Sequence, residues 1–565
     1  MNESLPRVSV HSPHASSSWL LALGFSILAS VVVLLPFFWL GAASGHDFEF
    51  HVASWLDVAY QWHNGVLYPR WTAWTNYGFG EPRYIFYPPL SWMLGAALTF
   101  VLPLSWAPAA FISLTQTLAG LSAFSLLRRL SSPKAAYFGA AFYAANPYAL
   151  LLSYIRSDFA EQLACAFLPL LLLAALRLAG LLDHQRPRPS FIPVFAALFA
   201  AVWLCNAPVG VIASYSMALL FAVAALWKRS WSVVFRSAGA LVLGLGLSTF
   251  YLLPAAYEQR WVNIAQALSS GLLPAQNFLF TNIDDVEHTW FNWISSICAL
   301  FLILLTAFTA LASRKLGRNS TPLRTSETPW PSLLLLGAAS TLLMIRFTLP
   351  VWDLLPKLRF VQFPWRWMSI LAIVCCCFLA AAVERRRGWL WFALYVLVAP
   401  PLALFLVQNT WWDPDEMATQ KAAITSGTGY EGVDEYDPLG DDHLDLPKHA
   451  PLAAILPGSF DEENAQPPQA KIQVELWNPE TKDISVESSA PAMVGLRLLN
   501  YPAWRVTVNG RSVQPQRPDD VNQMLVPIEA GKSEIRVRFS RTPDRTLGIA
   551  LSLASLLIAL ILFFM

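Results

Sequence analysis

The sequence predicts an α-helical protein that crosses a membrane about twelve times and carries a small β-sandwich outside the membrane near its C-terminus. Hydrophobic residues make up 55% of the 565 residues and charged residues only 13%. Long apolar runs recur along the chain, and their pattern changes to short alternating runs after residue 470. This composition excludes a soluble enzyme, and a net charge of +1 gives no reason to expect nucleic acid as a partner.

The first apolar run, Trp19 to Leu40, is long enough to cross a hydrocarbon core about 30 Å thick. It exceeds the apolar core of a signal peptide and lacks an obvious cleavage site, so it is typical of an uncleaved anchor after a cytoplasmic tail of residues 1–18. Later apolar runs begin near Ala107, Ala135, Glu161, Phe191, Val209, Ser237, Trp293, Pro331, Trp367, Trp389 and Thr546. The predicted transmembrane domain is 19–407, and a final helix follows at 546–565.

The basic residues of the loops predict the orientation. With the N-terminus inside, every basic cluster falls on the cytoplasmic side of a bacterial plasma membrane. These clusters are Arg128-Arg129-Lys134, Arg177 to Arg188, Lys228-Arg229-Arg236, Arg314-Lys315-Arg318-Arg324 and Arg385-Arg386-Arg387. The agreement requires the apolar stretch from Pro88 to Leu104 to be interfacial or re-entrant, within a first outer loop of 42–106. If that stretch spans the membrane, all later loops invert.

Segment 408–545 has a different composition. Residues 408–470, rich in Asp, Glu, Gly and Pro, are typical of an irregular connector. Residues 471–545 contain alternating runs with an Asn509-Gly510 turn, which favour a small antiparallel β-sandwich on the outer face. The predicted strands are Ile472–Trp477, Ile484–Glu487, Val494–Leu498, Trp504–Val508 and Ile535–Phe539.

Three acidic residues at the ends of apolar runs are candidates for catalysis. Asp47 lies just beyond the first helix, where a carboxylate could act as a general base, and His51 at i+4 is spaced to orient it. Asp158 and Glu161 are three apart, so they share a helix face, where they could bind the acceptor. Together with Asp47 they could instead bind a divalent cation such as Mg²⁺ or Mn²⁺. The alternative for Asp158 and Glu161 is a helix N-terminus that favours acids.

Basic and aromatic residues near these acids are candidates for substrate and phosphate binding. Arg359, Gln362 and Arg366 precede a span, and two arginines on the outer side favour anion binding over the alternative of an interfacial anchor. Arg156 beside Asp158 suits a phosphate or a lipid headgroup equally well. Arg70, His51 and Tyr87 of the first outer loop complete the set. The six cysteines lie in apolar runs and offer neither a disulfide framework nor the spacing of a zinc site.

Several motifs carry a resemblance to a known family. The motifs are Gly45-His-Asp47, Phe50-His51, Asn64-Gly65, Tyr68-Pro-Arg-Trp71, Tyr77-Gly-Phe-Gly80, Phe86-Tyr-Pro-Pro-Leu90, Ser157-Asp-Phe-Ala-Glu161, Pro169, Gln362-Phe-Pro-Trp-Arg366, Tyr501-Pro-Ala-Trp504, Asn509-Gly510 and Ala530-Gly531. In these motifs the chain resembles bacterial membrane proteins called 6-pyruvoyl-tetrahydropterin synthase related, which are similar to YfhO-type proteins and the GT-C glycosyltransferase superfamily. The family name does not imply pterin chemistry.

The resemblance implies a GT-C-like fold, interfacial helices in the first outer loop and a polyprenyl-phosphate-linked sugar donor. It implies that Asp47 is the base and that Asp158 or Glu161 is the second acidic position. The expected activity is hexosyl or pentosyl transfer to a glycan, lipid or protein acceptor on the outer face. The alternatives are a non-catalytic transporter or flippase of lipid-linked glycans, and a scaffold for envelope assembly.

Overall fold

The computed structural model describes residues 13–182, 189–314, 329–384, 388–440, 446–456, 467–517 and 521–565. Residues 1–12 of the predicted tail lie outside these described residues. So do the predicted basic residues within 183–188, 315–328 and 385–387. The α-helices are α1 Pro13–Leu34, α2 Phe37–Leu40, α3 Phe48–His63, α4 Arg83–Phe86, α5 Pro89–Val101, α6 Ala107–Leu127, α7 Pro133–Ala144, α8 Pro147–Leu151, α9 Phe159–Leu178, α10 Phe191–Cys205, α11 Ala207–Lys228, α12 Trp231–Leu247, α13 Thr249–Glu258, α14 Val286–Arg314, α15 Trp330–Leu343, α16 Leu349–Leu354, α17 Met368–Val383, α18 Gly388–Gln408, α19 Glu416–Thr425 and α20 Pro543–Phe564.

Apolar helices dominate the chain up to residue 408. In the described part, seven helical segments are long and apolar enough to cross a membrane, or up to nine if each of two bent helix pairs, α12 with α13 and α15 with α16, is one span. The seven are Ser18–Leu40, Leu104–Leu127, Phe159–Leu178, Ala207–Lys228, Val286–Ser313, Pro364–Val383 and Pro543–Phe564. A helix occurs at each of the twelve predicted runs, but α7 and α10 are shorter than the helix of about 20 residues that crosses a membrane. The count of twelve spans therefore stays a prediction.

Helices α1 and α6 run antiparallel. The Trp19 ring lies 5.2 Å from the Phe124 ring, and Ser30 Oγ donates to Ser113 Oγ at 3.0 Å, so α6 begins at the end of the bundle where α1 finishes. Helix α5 lies between them in sequence and has 13 residues, or about 20 Å of helix, which is shorter than a hydrocarbon core. The chain from α3 to α6 therefore leaves from and returns to the same end.

The loops 42–106, 151–160, 255–291 and 349–366 and the described residues of 408–545 lie together at this end, here called the loop-rich end. Contacts join them in pairs: Ser44 N to Trp411 O, His46 to Phe291, Gln362 Nε2 to Ala267 O, and Asn263 N to Asp437 O. At the opposite end Lys228 donates to Gly180 O, and Ser132 N donates to Glu384 Oε1 at 3.1 Å. The basic residues at 128–134, 177 and 228–236 lie at this second end. Their position makes the loop-rich end the one that the positive-inside rule assigns to the outside.

Two antiparallel sheets form the domain near the C-terminus. The strands are β1 Ala453–Leu456, β2 Ala470–Asn478, β3 Thr481–Ser488, β4 Ala492–Leu499, β5 Trp504–Val508, β6 Arg511–Val513, β7 Gln523–Ile528 and β8 Gly531–Phe539. One sheet has the order β1-β4-β7 and the other β2-β3-β8-β5-β6. Val494 and Val526 of the first sheet share a core with Val486 and Val537 of the second, and all four are fully buried. The arrangement is a β-sandwich.

The segment predicted as an irregular connector differs from that expectation, because it contains helix α19 and strand β1. Strand β1 pairs with β4, with Ala453 opposite Leu496. Its four residues are flanked by proline and an acidic stretch, so the local sequence pattern does not indicate a strand. The strand forms because its backbone hydrogen-bonds to β4. Long-range pairing of this kind overrides composition.

The sandwich is fixed to the helical bundle by the first outer loop and by the C-terminal helix. Trp71 of that loop is fully buried, and its ring lies 5.5 Å from the Trp504 ring. At the start of α20, Arg545 Nε and Nη2 each donate to Glu258 at 2.7 Å, and Tyr501 Oη donates to the same carboxylate at 2.6 Å. Buried charges of this kind are stable only when paired and hydrogen-bonded, so the clamp fixes the sandwich against the end of α13.

Asp57 on α3 carries a buried carboxylate that has hydrogen bonds but, among the described residues, no arginine or lysine within ion-pair distance. It accepts from Ala73 N at 2.9 Å and from Gln61 Nε2 at 3.2 Å. Burial raises the pKa of Asp57 from 3.8 to about 7, against the smaller opposite effects of those hydrogen bonds and of the Arg83 charge. A carboxyl whose pKa is higher in the folded protein binds more protons when folded, so its contribution to stability falls as pH rises from about 4 to about 7.

Replacement of Asp57 by Asn is therefore expected to stabilise the protein at pH 8. The difference in melting temperature between Asp57→Asn and the wild type should grow between pH 5 and pH 8, since each unit of pKa shift corresponds to about 1.4 kcal/mol. Thermal unfolding of the detergent-solubilised protein over this pH range measures the difference. The matched control is Asp353→Asn, an exposed carboxylate, for which no such trend is expected. A lower melting temperature for Asp57→Asn at pH 8 would contradict the assignment.

Candidate active site

The site forms where the segment after the first helix meets the turn before α9. Asp47 N donates to Arg156 O at 2.9 Å, and Ser157 Oγ accepts from Gly45 N at 3.0 Å while donating to Ala43 O at 2.8 Å. A Cβ at Gly45 would approach Ile155 O to 2.5 Å, so only glycine permits this close approach. The backbone itself therefore places Asp47 beside Arg156.

The turn that presents Arg156 has an irregular backbone. Residues Leu152–Arg156 form a π-helical turn, and Ser157 follows with a φ of +50°, in the left-handed region. Such turns widen a helix by one residue, and they are frequent at functional sites. Here the turn ends α8 and directs Arg156 toward Asp47 while Asp158 starts α9.

Arg366 lies between the two acids of α9. Its Nε donates to Glu161 Oε2 at 2.9 Å, and its Nη2 lies 3.5 Å from Asp158 Oδ2. Glu161 is fully buried, and Arg366 and Asp158 are 5% and 3% exposed. Asp158 also caps α9, since its Oδ1 accepts from Glu161 N at 2.8 Å. The capping and functional interpretations of Asp158 are therefore compatible, because different oxygens serve the helix and the arginine.

A second ion pair lies beside the first and reaches the surface. Arg156 Nη2 donates to Asp47 Oδ2 in a short ion pair, and the Asp47 side chain is 29% exposed while that of Arg156 is 8% exposed. The Arg156 guanidinium lies against aromatic rings, 5.1 Å from the Phe363 centroid and 5.8 Å from that of Trp365. Its Nε is buried and has no hydrogen-bond partner among the residues that the structure describes. Asp47 is thus the open acid of the cluster, and Arg156 keeps one free donor beside it.

His51 faces Asp158 and not Asp47, which differs from the orienting role expected from its i+4 spacing. Its Nε2 lies 3.8 Å from Asp158 Oδ1, whereas its bond to Asp47 is between backbone atoms, N to O at 3.1 Å. Asp47 precedes the first residue of α3, so the helical side-chain geometry does not yet apply to it. Burial would raise the pKa of Asp158, but His51 and Arg366 outweigh it and hold that pKa below its ordinary value.

Two more predicted residues lie at this cluster. Gln362 Oε1 accepts from Arg366 Nη1 at 3.3 Å, and its backbone has a φ of +63°. The Tyr87 ring lies 5.9 Å from the His51 ring and 4.7 Å from that of Phe50. Gln362 positions the guanidinium, and Tyr87 forms part of the wall next to His51.

The structure does not bring Arg359 and Arg70 to the cluster. The Arg359 side chain is 54% exposed, and its Nη2 pairs with Asp353 Oδ1 at 2.7 Å. Arg70 Nη1 donates to Tyr68 O at 3.0 Å, and its guanidinium lies 4.8 Å from the Tyr68 centroid. The second cation beside Arg366 is therefore Arg156.

Tyr148 belongs to the site but was not among the predicted residues. Its hydroxyl donates to Glu161 Oε1 in a short hydrogen bond, and it is 2% exposed. Asn146 caps α8, the short helix that carries Tyr148, and its side chain accepts from Tyr148 N at 3.0 Å. The sequence signal was available, since Asn-Pro is typical of a helix start and a tyrosine there lies at the same end as the acids. Below the cluster, a small cavity of about 20 Å³ is lined by Gln116, Tyr143, Asn146, Tyr148, Gln162 and Ser369.

The three acids do not fit a metal ion in this arrangement. Asp47 is paired with Arg156, and Asp158 and Glu161 are paired with Arg366. Across the described part of the chain, no group of three or more His, Cys, Asp or Glu side chains is placed to hold a metal. Guanidinium groups occupy the positions that a cation would take, so no step below is routed through a metal, and the divalent cation stays a prediction.

Comparison with known proteins gives a family and several distant fold similarities. Residues 84–412 match the family model described as 6-pyruvoyl-tetrahydropterin synthase related domain, membrane protein. No curated protein matches the chain. Among solved structures, the chain is similar to the archaeal oligosaccharyltransferase AglB from Archaeoglobus fulgidus, solved with an inhibitory peptide and a dolichol-phosphate. That match has 16% identity and a TM-score of 0.40, and it covers 75% of this chain and 57% of that one.

A second similarity is to ArnT from Cupriavidus metallidurans bound to undecaprenyl phosphate. The identity is 12% and the TM-score 0.31, with 76% of this chain and 92% of that chain covered. The chain thus spans a little over half of the AglB chain and most of ArnT.

Proposed function

The chain belongs to the 6-pyruvoyl-tetrahydropterin synthase related family of membrane proteins, and from its charged site we propose that it is a membrane glycosyltransferase. It moves a sugar from a polyprenyl-phosphate-linked donor to a glycan, lipid or protein acceptor on the outer face of the plasma membrane. The observation that carries the proposal is the pairing of Arg156 and Arg366 with three acids, of which Asp47 alone is substantially open. Two fixed cations suit a phosphate, and an open carboxylate suits an acceptor hydroxyl.

The reaction forms one bond and breaks one. The acceptor oxygen attacks the anomeric carbon of the donor sugar, and the bond from that carbon to the phosphate oxygen breaks with inversion. The hydroxyl proton passes to the Asp47 carboxylate, and the bonding electrons leave with the polyprenyl phosphate. Arg156 and Arg366 stabilise the charge that develops on this leaving group.

The same N–H group of Arg156 cannot donate to both Asp47 and a phosphate. Its Nη2 is taken by Asp47, whereas its Nε is buried and without a partner. When the phosphate of the sugar donor binds the Arg156 guanidinium, the guanidinium moves away from Asp47. The Asp47 carboxylate is then free to accept a proton. Donor binding would then prepare the base for the acceptor.

The distribution of buried charge disfavours the transporter alternative. A path across the membrane needs ionisable groups at several depths. In the described chain the buried charged groups of the spanning helices lie at their loop-rich ends: Glu161, Glu258, Arg366, Asp544 and Arg545. Charge concentrated at one level supports chemistry at the interface rather than conduction.

Replacement of Arg156 by Gln tests the phosphate assignment. The loss of a charge-assisted hydrogen bond costs about 1.5–3 kcal/mol, so undecaprenyl phosphate should bind about 10–100-fold more weakly. Native mass spectrometry of the purified protein titrated with undecaprenyl phosphate measures the affinity. The rate of sugar transfer is measured in membranes that contain the variant and are supplied with labelled undecaprenyl-phosphate sugars.

The matched control is Arg359→Gln, because Arg359 is exposed and distant from the acids. Its affinity should equal that of the wild type. Equal affinities for wild type and Arg156→Gln would remove Arg156 from the donor site, and a loss confined to Arg359→Gln would move that site to the exposed pair.

A further inference from the structure

A second aromatic and basic pocket lies between the first outer loop and the β-sandwich. It has a volume of about 250 Å³, and its walls come from α3, the loop after α3, the end of α19 and strands β2 to β4. The side chains that matter for recognition are Tyr60, Trp74, Trp477, Asn478, Lys482 and Arg497. Tyr60 lies in the last turn of α3 and Asp47 just before the first turn, so the pocket and the acid cluster lie about 20 Å apart along one helix.

Lys482 is a buried cation in this pocket. It is 3% exposed, and its Nζ donates to Pro479 O at 2.6 Å. The ammonium lies 4.4 Å from the Trp504 centroid and 5.5 Å from the Trp477 centroid. No carboxylate of the described residues lies within ion-pair distance of it, and burial lowers its pKa to about 7, offset only in part by Glu480. A buried ammonium without a paired carboxylate is costly, and an anionic ligand beside it would offset that cost.

Arg497 supplies a second cation whose guanidinium is held rigidly. Its Nε donates to Tyr77 O at 2.7 Å and its Nη2 to Gly427 O at 2.6 Å. Nη1 has no partner in the described chain. Gly78 lies directly against this guanidinium, where a Cβ would collide with it. The arginine is thus fixed by carbonyl groups, which leave its positive charge uncompensated.

The aromatic walls offer flat faces and one unused donor. The Tyr60 and Trp74 rings meet edge to face at 5.3 Å, and Trp477 is partly exposed opposite them. Trp74 Nε1 is buried, and no described residue forms a hydrogen bond with it. Indole and phenol rings combine an apolar face with a polar edge, which suits the apolar face and the hydroxyls of a sugar ring.

We propose that this pocket binds a sugar unit that carries an anionic group, a carboxylate or a phosphate, within a glycan. Trp477, Tyr60 and Trp74 hold the ring, and Lys482 with Arg497 binds the anion. Glycan binding at this pocket does not require the transfer reaction. If the proposed function also holds, this glycan is the acceptor.

The test uses the full-length protein in lipid nanodiscs without donor. Tetragalacturonate and a mannose 6-phosphate-capped oligosaccharide serve as acidic probes, and maltotetraose serves as the neutral probe of equal length. Microscale thermophoresis should show at least one acidic probe binding at least tenfold more tightly than maltotetraose. Lys482→Met and Trp477→Ala should each weaken that binding at least tenfold.

The matched controls are Lys532→Met and Trp411→Ala, both at exposed positions, and both should bind as the wild type does. Two variants are used because a folding defect in one would not affect the other. The proposal is overturned if neither acidic probe binds, if maltotetraose binds equally well, or if Lys482→Met binds the acidic probe as tightly as the wild type. Asp47→Asn should retain this binding, so failure here is distinguishable from failure of the transfer reaction.

Discussion

Asp47→Asn is expected to lower sugar transfer by about 10²–10⁴-fold, the usual effect of removing a general base. Asparagine has the same shape and can still accept the hydrogen bond from Arg156, but it cannot take the acceptor proton. Transfer from labelled undecaprenyl-phosphate sugars, measured in membranes with equal protein levels, gives the rate. Because the defect lies in the chemical step, kcat should fall while the affinity for undecaprenyl phosphate rises.

The rise in affinity is the sharper part of this prediction. Asparagine competes less strongly than a carboxylate for Arg156, so the guanidinium is freer to bind phosphate. Asp353→Asn makes the same chemical change at an exposed position and should alter neither quantity. Unchanged transfer by Asp47→Asn at normal protein levels would remove Asp47 as the base and leave Asp158 or Glu161 to be tested.

The residues of the charged cluster could be predicted from the sequence because of where they lie. Ionisable groups at the ends of apolar runs are expensive near a bilayer, and that cost marks Asp47, Glu161 and Arg366 as candidates. Their pairing could not be predicted, since it joins segments more than 100 residues apart through a π-helical turn. No periodicity specifies that turn, and it decides that Arg156, rather than Arg359, stands beside the acids.

The direction of His51 shows a limit of helical spacing. The i+4 rule applies to two residues inside a helix, whereas Asp47 stands before the first residue of α3. The imidazole therefore meets Asp158 from a different segment. Tertiary packing of α3 against α9, and not local geometry, sets its partner.

The strands of the β-sandwich divide in a similar way. Strands with alternating side chains, such as β2 and β8, follow the period-2 pattern that the sequence displays. Strand β7, Gln523–Ile528, reads as a short apolar run, and β1 and β6 have only four and three residues. Such short segments carry too little pattern to identify, and they become strands through pairing with β4 and β5.

Arg366→Met is expected to destabilise the fold strongly. Among the described residues, Arg366 is the cation that bonds to Glu161 and the one nearest to Asp158. Glu161 is fully buried, and Asp158 is 3% exposed. Removal of one partner from a buried ion pair leaves an uncompensated charge and costs about 3–5 kcal/mol. The expected result is a lower melting temperature and a lower yield of detergent-solubilised protein.

A double variant separates the lost charge from lost packing. In Glu161→Gln/Arg366→Met the buried carboxylate disappears together with its cation, so part of the lost melting temperature should return although two side chains have changed. Arg359→Met changes an exposed arginine and should leave the melting temperature within experimental error. If Arg366→Met matched the wild type in stability, the arginine would not be neutralising these acids, and a mobile cation in its place would become the better account of the site. If the double variant were no more stable than Arg366→Met, the loss would arise from the hydrogen bonds that Arg366 makes to Val361 O and Gln362 rather than from charge.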